Sequence, residues 1–235
     1  MSAWLNAVVY GWYPYVCATV FLLGSLIRFD TSQYTWRSGS SQLLRRRQMM
    51  IGSNLFHVGI LVILAGHVVG LLTPIAVFDA LGISHAFKQI LAMSVGGVAG
   101  LMCFAGAVML AHRRLTDPRI RANSAFGDTA IILLLAVQVT LGLATIPVSA
   151  GHLDGLEMVK FMTWAQGIVT LQPQAAAAIA GVPWIFKVHL FLGMTIFLVF
   201  PFTRLVHVLS APVWYLGRPS YQIVRTRRPT AANPP

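Results

Sequence analysis

Four histidines inside otherwise apolar stretches are the chemistry this sequence offers. His57 and His67 lie in NLFHVGILVILAGHVVGLLTP, residues 54–74, and His189 and His207 lie in KVHLFLGMTIFLVFPFTRLVHVLS, residues 187–210. Neither stretch contains a carboxylate. An ionisable group in hydrocarbon is costly and marks a pathway, a relay or a ligand. Proton relays place carboxylates beside their histidines, and here only Asp128, at the end of a span, comes close. Imidazole suits iron, and two imidazoles fill both axial positions of a haem, which favours electron transfer over oxygen chemistry. Two histidines on one span, answered by two on a later span, point to a pair of haems. The chain has no C-x-x-C-H, so each would be a non-covalent haem b. A haem-free transporter or anchor is the rival from another class.

Those histidines need helices to carry them. Of the 235 residues, 57% are hydrophobic and 10% charged, and the mean hydropathy is +0.72. A soluble domain has about 25% charged residues, so the composition is that of an integral membrane protein. Five runs of roughly 20 apolar residues match the roughly 30 Å of a bilayer core: about 9–29, 50–72, 89–111, 128–147 and 182–208. The expected fold is all-α, a five-helix transmembrane bundle over 1–217 followed by a basic, partly disordered tail over 218–235. Pro14 falls early in the first span, where proline is tolerated. SVGGVAG, residues 94–100, allows close helix packing. Cys17 and Cys103 each sit within a span, with no sign of a disulfide. The N-terminus lacks the basic region and cleavage site of a signal peptide, so the first span is expected to be retained.

The net charge of +11 does not indicate nucleic acid. All of the 17 basic residues except Lys88, Lys160 and Lys187 lie at the ends of spans one and five or in the segments that follow spans one, three and five. By the positive-inside rule this predicts an N-terminus outside and a cytoplasmic C-terminus, in a bacterial or archaeal cytoplasmic membrane. The second and fifth spans then run in opposite directions. His57 pairs with His207 toward the cytoplasm, and His67 pairs with His189 toward the outside.

The spacings do not match. On one continuous helix, the 18 residues from His189 to His207 are five turns on one face and rise about 27 Å, whereas His57 to His67 rises about 15 Å and turns about 80° off a common face. A crossing angle, tilted rings or a bend at Pro201 is required. The connection over 148–181 is expected to hold an interfacial amphipathic helix, with QPQAAAAIAGVP as plain loop. His85, His112 and His152 read as surface groups. Lys88 begins the third span at the outer interface. There it either snorkels or donates a hydrogen bond to a quinone oxygen.

The sequence resembles the gamma subunit of respiratory nitrate reductase, a membrane cytochrome b. The resemblance is carried by YPY at Tyr13–Tyr15, QYTWR at Gln33–Arg37, SNLFHVGIL with AGH ending at His67, and GLLTP. It continues with RRL at Arg113, PRIRA at Pro118, TIPVSAGHLDGLEM, WAQ and the stretch from His189 to Leu216. It implies two b haems, the inner on His57 and His207 and the outer on His67 and His189. It also implies quinol oxidation near the outer haem, involving Lys88, His67 and the small Gly66 and Gly70. Electrons are then expected to pass to a cytoplasmic iron–sulfur beta subunit and a molybdenum alpha subunit that reduces nitrate to nitrite. The cytochrome b subunit of a hydrogenase, formate dehydrogenase or sulfur-cycle complex would carry similar haems with a different partner.

Overall fold

The computed structural model describes residues 2–36, 43–211, 213 and 217. The basic tail expected over 218–235, and Arg37 of QYTWR, lie outside the described residues. Five helices are long and apolar enough to cross a bilayer: Ala3–Thr31, Arg46–Leu72, His85–Thr116, Phe126–Ala150 and Trp184–Phe202. The described residues contain no strand, and the chain is an all-α membrane bundle. The first four helices extend beyond the apolar cores that the sequence marks, because polar and charged residues continue the helix past the hydrocarbon. The fourth even continues through Pro147 to Ala150.

Neighbouring spans pack in the order two, three, four, five, one. The second and fifth spans, which carry the histidines, do not pack closely on one another. The tightest crossing joins the second and third spans. A Cβ on Gly59 would fall 2.5 Å from the Ala99 carbonyl oxygen, and one on Gly106 would overlap the backbone of Phe56 and Gly52. Small residues let backbones approach where lipid supplies no hydrophobic drive for association. Within SVGGVAG, a Cβ on Gly100 would stand 2.7 Å from the Leu143 side chain, whereas one on Gly96 would meet nothing within 4 Å. The second span thus closes on both Ala99, within the small-residue stretch that the sequence marks for close packing, and Gly106, two turns further on. Gly106→Val is expected to cost about 1–3 kcal/mol through overpacking, read as a lower unfolding temperature of the detergent-solubilised protein.

Two prolines shape the ends of the bundle. Pro14 has no N–H to offer the carbonyl of Tyr10, four residues earlier, and the helix widens to a π-turn over Val8–Trp12. The Trp164 indole N–H donates to that Tyr10 carbonyl at 2.9 Å. Trp164 belongs to the helix Leu156–Val169 in the connection after span four. The helix expected in this connection is present, and one side of it packs into the bundle. It buries Met162, Trp164 and Ala165, and Gln166 donates to the carbonyls of Leu71 and Thr73 at 3.1 and 2.9 Å, closing the end of span two. QPQAAAAIAGVP is not plain loop. Ala175–Ile179 form a 3-10 helix with Ala175, Ala176 and Ile179 buried, and Ala176 accepts a hydrogen bond from Asn6 at 2.7 Å.

The fifth span departs most from the sequence reading. Its helix ends at Val199, a 3-10 turn covers Phe200–Phe202, Thr203 is extended (φ −119°, ψ 179°), and a second 3-10 helix runs Arg204–Ser210. His189 and His207 therefore do not share one face of a continuous helix. Pro201 packs against Gly24 of the first span, where a Cβ would stand 2.8 Å from its ring. Arg28 donates to the carbonyls of Pro201 and Thr203 at 2.7 and 2.8 Å and to the Thr35 carbonyl at 2.8 Å. A helix end leaves carbonyls without partners, and this guanidinium satisfies two of them.

At the same end, several arginines are structural. Arg113 is 2% exposed and donates to the Leu44 carbonyl, and Arg114 is also buried. Asp117 caps the helix Pro118–Ala122, accepting from the N–H groups of Arg119 and Ile120 at 2.9 and 3.3 Å, and pairs with Arg45 at 2.7 Å. Burial opposes ionisation of Asp117, but those donors and the Arg45 charge outweigh it and hold its carboxyl below the usual carboxylate range. A depressed carboxylate stabilises the fold above its unfolded-state pKa and loses that contribution as pH falls through the lower folded-state value. Asp117→Asn is expected to flatten the acid limb of the stability–pH curve, measured by thermal unfolding from neutral to acid pH.

Candidate functional site

The structure brings the four membrane histidines together as the sequence paired them. The rings of His57 and His207 are 6.4 Å apart between centres with an interplanar angle of 68°. Those of His67 and His189 are 6.2 Å apart at 42°. The break at Thr203 removes the mismatch between the 10- and 18-residue spacings. His207 is carried by a separate 3-10 helix, so it need not lie about 27 Å along one axis from His189.

The separation has a chemical meaning. A metal about 2 Å from an imidazole nitrogen, with the ring centre about 1.2 Å behind that nitrogen, holds two opposed rings about 6.4 Å apart. Both pairs meet this distance. Van der Waals contact alone would favour aromatic centres anywhere from about 4.5 to 7 Å, so the agreement is notable because it occurs twice and without any carboxylate between the rings. Among the described residues no group of three or more His, Cys, Asp or Glu could hold a metal. Each pair thus supplies two ligands only, which suits a metal whose other positions come from a macrocycle. A Cβ on Gly66 or on Gly70 would meet nothing within 4 Å. That leaves side-chain-free surface beside His67 for a flat group. The residues fit haem.

Three of the four rings have their other nitrogen fixed. His57 Nδ1 lies 2.7 Å from the Ser53 carbonyl and 3.2 Å from Ser53 Oγ, His67 Nδ1 lies 2.8 Å from the Ile63 carbonyl, and His207 Nδ1 lies 2.6 Å from the Arg204 carbonyl. A ring that donates from Nδ1 to a carbonyl has its Nε2 lone pair free for metal. His189 differs: its Nδ1 is buried without a partner, and the Gln138 side-chain nitrogen approaches its Nε2 at 3.5 Å.

Supporting charge sits at the arginine-rich end. Asp128 receives Arg114 at 3.4 Å and Arg204 at 3.6 Å. Arg204 begins the 3-10 helix that carries His207, so span four anchors that segment. Burial lowers the Arg204 guanidinium pKa, Asp128 works against that shift, and Arg114 adds to it. Sequence reading saw Asp128 only as a span-end carboxylate. Its role emerges when three segments distant in sequence converge.

At the opposite end, Lys88 does not snorkel. It is 7% exposed, with its ammonium 4.1 Å from the Phe78 ring centre and 3.8 Å from Met162 Sδ. Phe78 comes from the short helix Ile75–Ala80 and Met162 from the helix Leu156–Val169, so two connecting segments cover it. His85, three residues before Lys88, is half-buried rather than a plain surface group; its Nε2 lies 3.8 Å from Asp79. His112 and His152 are exposed, as expected. Cys17 and Cys103 are free thiols, both buried.

Residues 6–227 match the family model of the nitrate reductase gamma subunit. The chain is 52% identical over 228 residues to the respiratory nitrate reductase 2 gamma chain of Escherichia coli, covering 97% of this chain and 100% of that one. It is 50% identical over 223 residues to the respiratory nitrate reductase 1 gamma chain of the same organism, covering 95% and 98%. It is 37% identical over 220 residues to the nitrate reductase gamma chain of Bacillus subtilis, covering 94% and 98%. With five membrane helices and two facing histidine pairs already in place, these matches settle the family: the chain is a member of the respiratory nitrate reductase gamma-subunit family, a membrane subunit of an electron-transporting oxidoreductase.

Proposed function

We propose that this subunit is a dihaem cytochrome b that oxidises membrane quinol at its outer end and delivers electrons to cytoplasmic subunits. The carrying observation is the recurrence of a metal-compatible ring separation, 6.4 and 6.2 Å, in two pairs. His57 and His207 hold the inner haem, and His67 and His189 hold the outer one. Haem, when bound, supplies one-electron exchange at each position. The basic loops set the orientation, with the N-terminus outside and the arginine-rich end in the cytoplasm. The partners at that end are an iron–sulfur beta subunit and a molybdenum alpha subunit that reduces nitrate to nitrite. The exposed Arg46, Arg47, Arg119 and Arg121 belong to the docking face.

The chain's own residues prepare the outer end for quinol. Lys88 presents a cation in an apolar enclosure, where a hydrogen bond to an oxygen is strengthened by the low dielectric. Its neighbours Phe78 and Met162 offer a ring face and a polarisable thioether to a flat, apolar substrate. Gly66 and Gly70 leave room beside His67. Quinol gives up two electrons and two protons. Releasing the protons outside while the electrons move inward separates charge, worth about 2.3 kcal/mol per charge per 100 mV.

Reduced-minus-oxidised spectra of the purified complex test the reading directly. Two b-type haems per chain are expected, and absence of a b-type α band would falsify it. Lys88→Ala is expected to slow quinol oxidation about 10- to 100-fold, the worth of one charge-assisted hydrogen bond, with both haem spectra intact. Unchanged quinol kinetics in that variant would leave Lys88 a structural cation only.

A further inference from the structure

The outer histidine pair contains one ring without the anchor that the other three possess, and the missing partner stands beside it. His189 Nδ1 is buried and has no hydrogen-bond partner. Gln138 Oε1, on the fourth span, is also buried and also has none. The two groups are adjacent: the Gln138 amide nitrogen donates to the His189 carbonyl at 3.1 Å and lies 3.5 Å from the ring's Nε2. A buried ring nitrogen and a buried amide oxygen without partners are each costly, and here they belong to two side chains that already touch, through the Gln138 amide nitrogen and the ring's Nε2. Gly142, one turn further along the fourth span, leaves room beside the ring, since a Cβ there would stand 3.1 Å from His189 Cε1 and 3.7 Å from Nδ1.

We propose that Gln138 is the positioning residue for His189. When Nε2 is committed to the outer haem, the Gln138 amide turns from Nε2 and its oxygen accepts the His189 Nδ1–H, a role that helix carbonyls fill for His57, His67 and His207. The inference rests on the reading of His189 as a haem ligand. It assigns the fourth span, which carries no ligand, a part in setting the outer haem. A hydrogen bond accepted from Nδ1–H makes an imidazole a stronger donor to iron and favours the oxidised metal. Gln138 thereby holds the outer haem's potential down, which matters at the site where electrons enter.

The test uses the full nitrate reductase complex. Gln138→Leu is expected to raise the midpoint potential of the outer haem and to alter its low-spin EPR signal, with the inner haem unchanged. Gln138→Glu keeps an acceptor oxygen and is expected to return the potential to the wild-type value or below. Gly142→Ala, which crowds the same ring at Cε1, is expected to perturb the outer haem alone, and it covers the case in which Gln138→Leu does not assemble. His189→Ala separates the two levels of the reading. If it retains both haems, the ligand assignment is wrong. If it loses the outer haem while Gln138→Leu leaves potential and EPR signal as in wild type, the ligand stands and the Gln138 role is overturned. Equal shifts of both haems would likewise overturn it, because they would report general loosening of the bundle.

Discussion

Replacing His207 by alanine is expected to remove one haem and keep the other. His207 and His57 face each other at 6.4 Å, and neither touches the second pair, which lies about 15 Å away along the second span, ten residues at about 1.5 Å each. On the dihaem proposal, loss of one of its two ligands would leave the inner haem weakly held. The purified variant should show half the b-type absorbance. The haem that remains should still be reduced by added quinol, because the His67–His189 pair and Lys88 are untouched. Nitrate reduction from quinol should fall by at least about 100-fold, at or beyond the upper end of what loss of a partner group outside the metal's own ligands costs. His57→Ala should reproduce both effects. Loss of both haems together, or of neither, would show that the pairing drawn from the ring positions is wrong.

Arg28→Ala is expected to have nearly the same spectroscopic consequence, although Arg28 touches no ligand. Its guanidinium donates to the carbonyls of Pro201 and Thr203, on either side of Phe202, just where the fifth span leaves its helical path. Hydrogen bonds to a charged group contribute about 1.5–3 kcal/mol each. Without them the turn loses its tie to the first span, and the 3-10 helix Arg204–Ser210 loses the geometry that brings His207 to His57. The inner haem should be lost or weakly bound, the outer haem retained, and electron delivery to the partner reduced. Arg28→Lys, which can reach one carbonyl but cannot fork between two, should give an intermediate haem content. If Arg28→Ala binds both haems as well as wild type, the Asp128–Arg204 tie from the fourth span is sufficient by itself to hold the segment.

Gln33–Thr35 and Trp36 fit the same picture. Thr35 accepts from Arg28 through both its carbonyl and its hydroxyl, and the Trp36 indole donates to Ser210 Oγ at the far end of the His207 helix. The described part of QYTWR therefore braces the segment that carries His207 from the loop after span one. A motif that sequence alone marks only as part of a family resemblance has a mechanical task.

Much of the protein was legible in the chain of residues. Apolar length fixes the number of spans, because hydrocarbon forces every backbone group into an internal hydrogen bond and admits only helices or closed barrels. The cost of an ionisable group in that medium singles out His57, His67, His189 and His207, and the alternation of span direction pairs them. Three features depended on tertiary structure. The break at Pro201–Thr203 is invisible to helical periodicity, because proline in a span bends or continues the helix according to what satisfies its neighbours; Pro147 is continuous and Pro201 is not. The difference is Arg28, from a segment more than 170 residues away, receiving the freed carbonyls. Lys88 is enclosed rather than snorkelled because Phe78 and Met162 arrive from two connections whose packing no local pattern specifies. Gln138 is a neutral amide in the fourth span, and its meaning appears only when that span is set against His189. Sequence by itself determined the number of spans and singled out the four histidines within or beside them. Tertiary structure decided how they are held, because in a membrane bundle the hydrogen-bond partners of irregular backbone and ligand rings come from other helices.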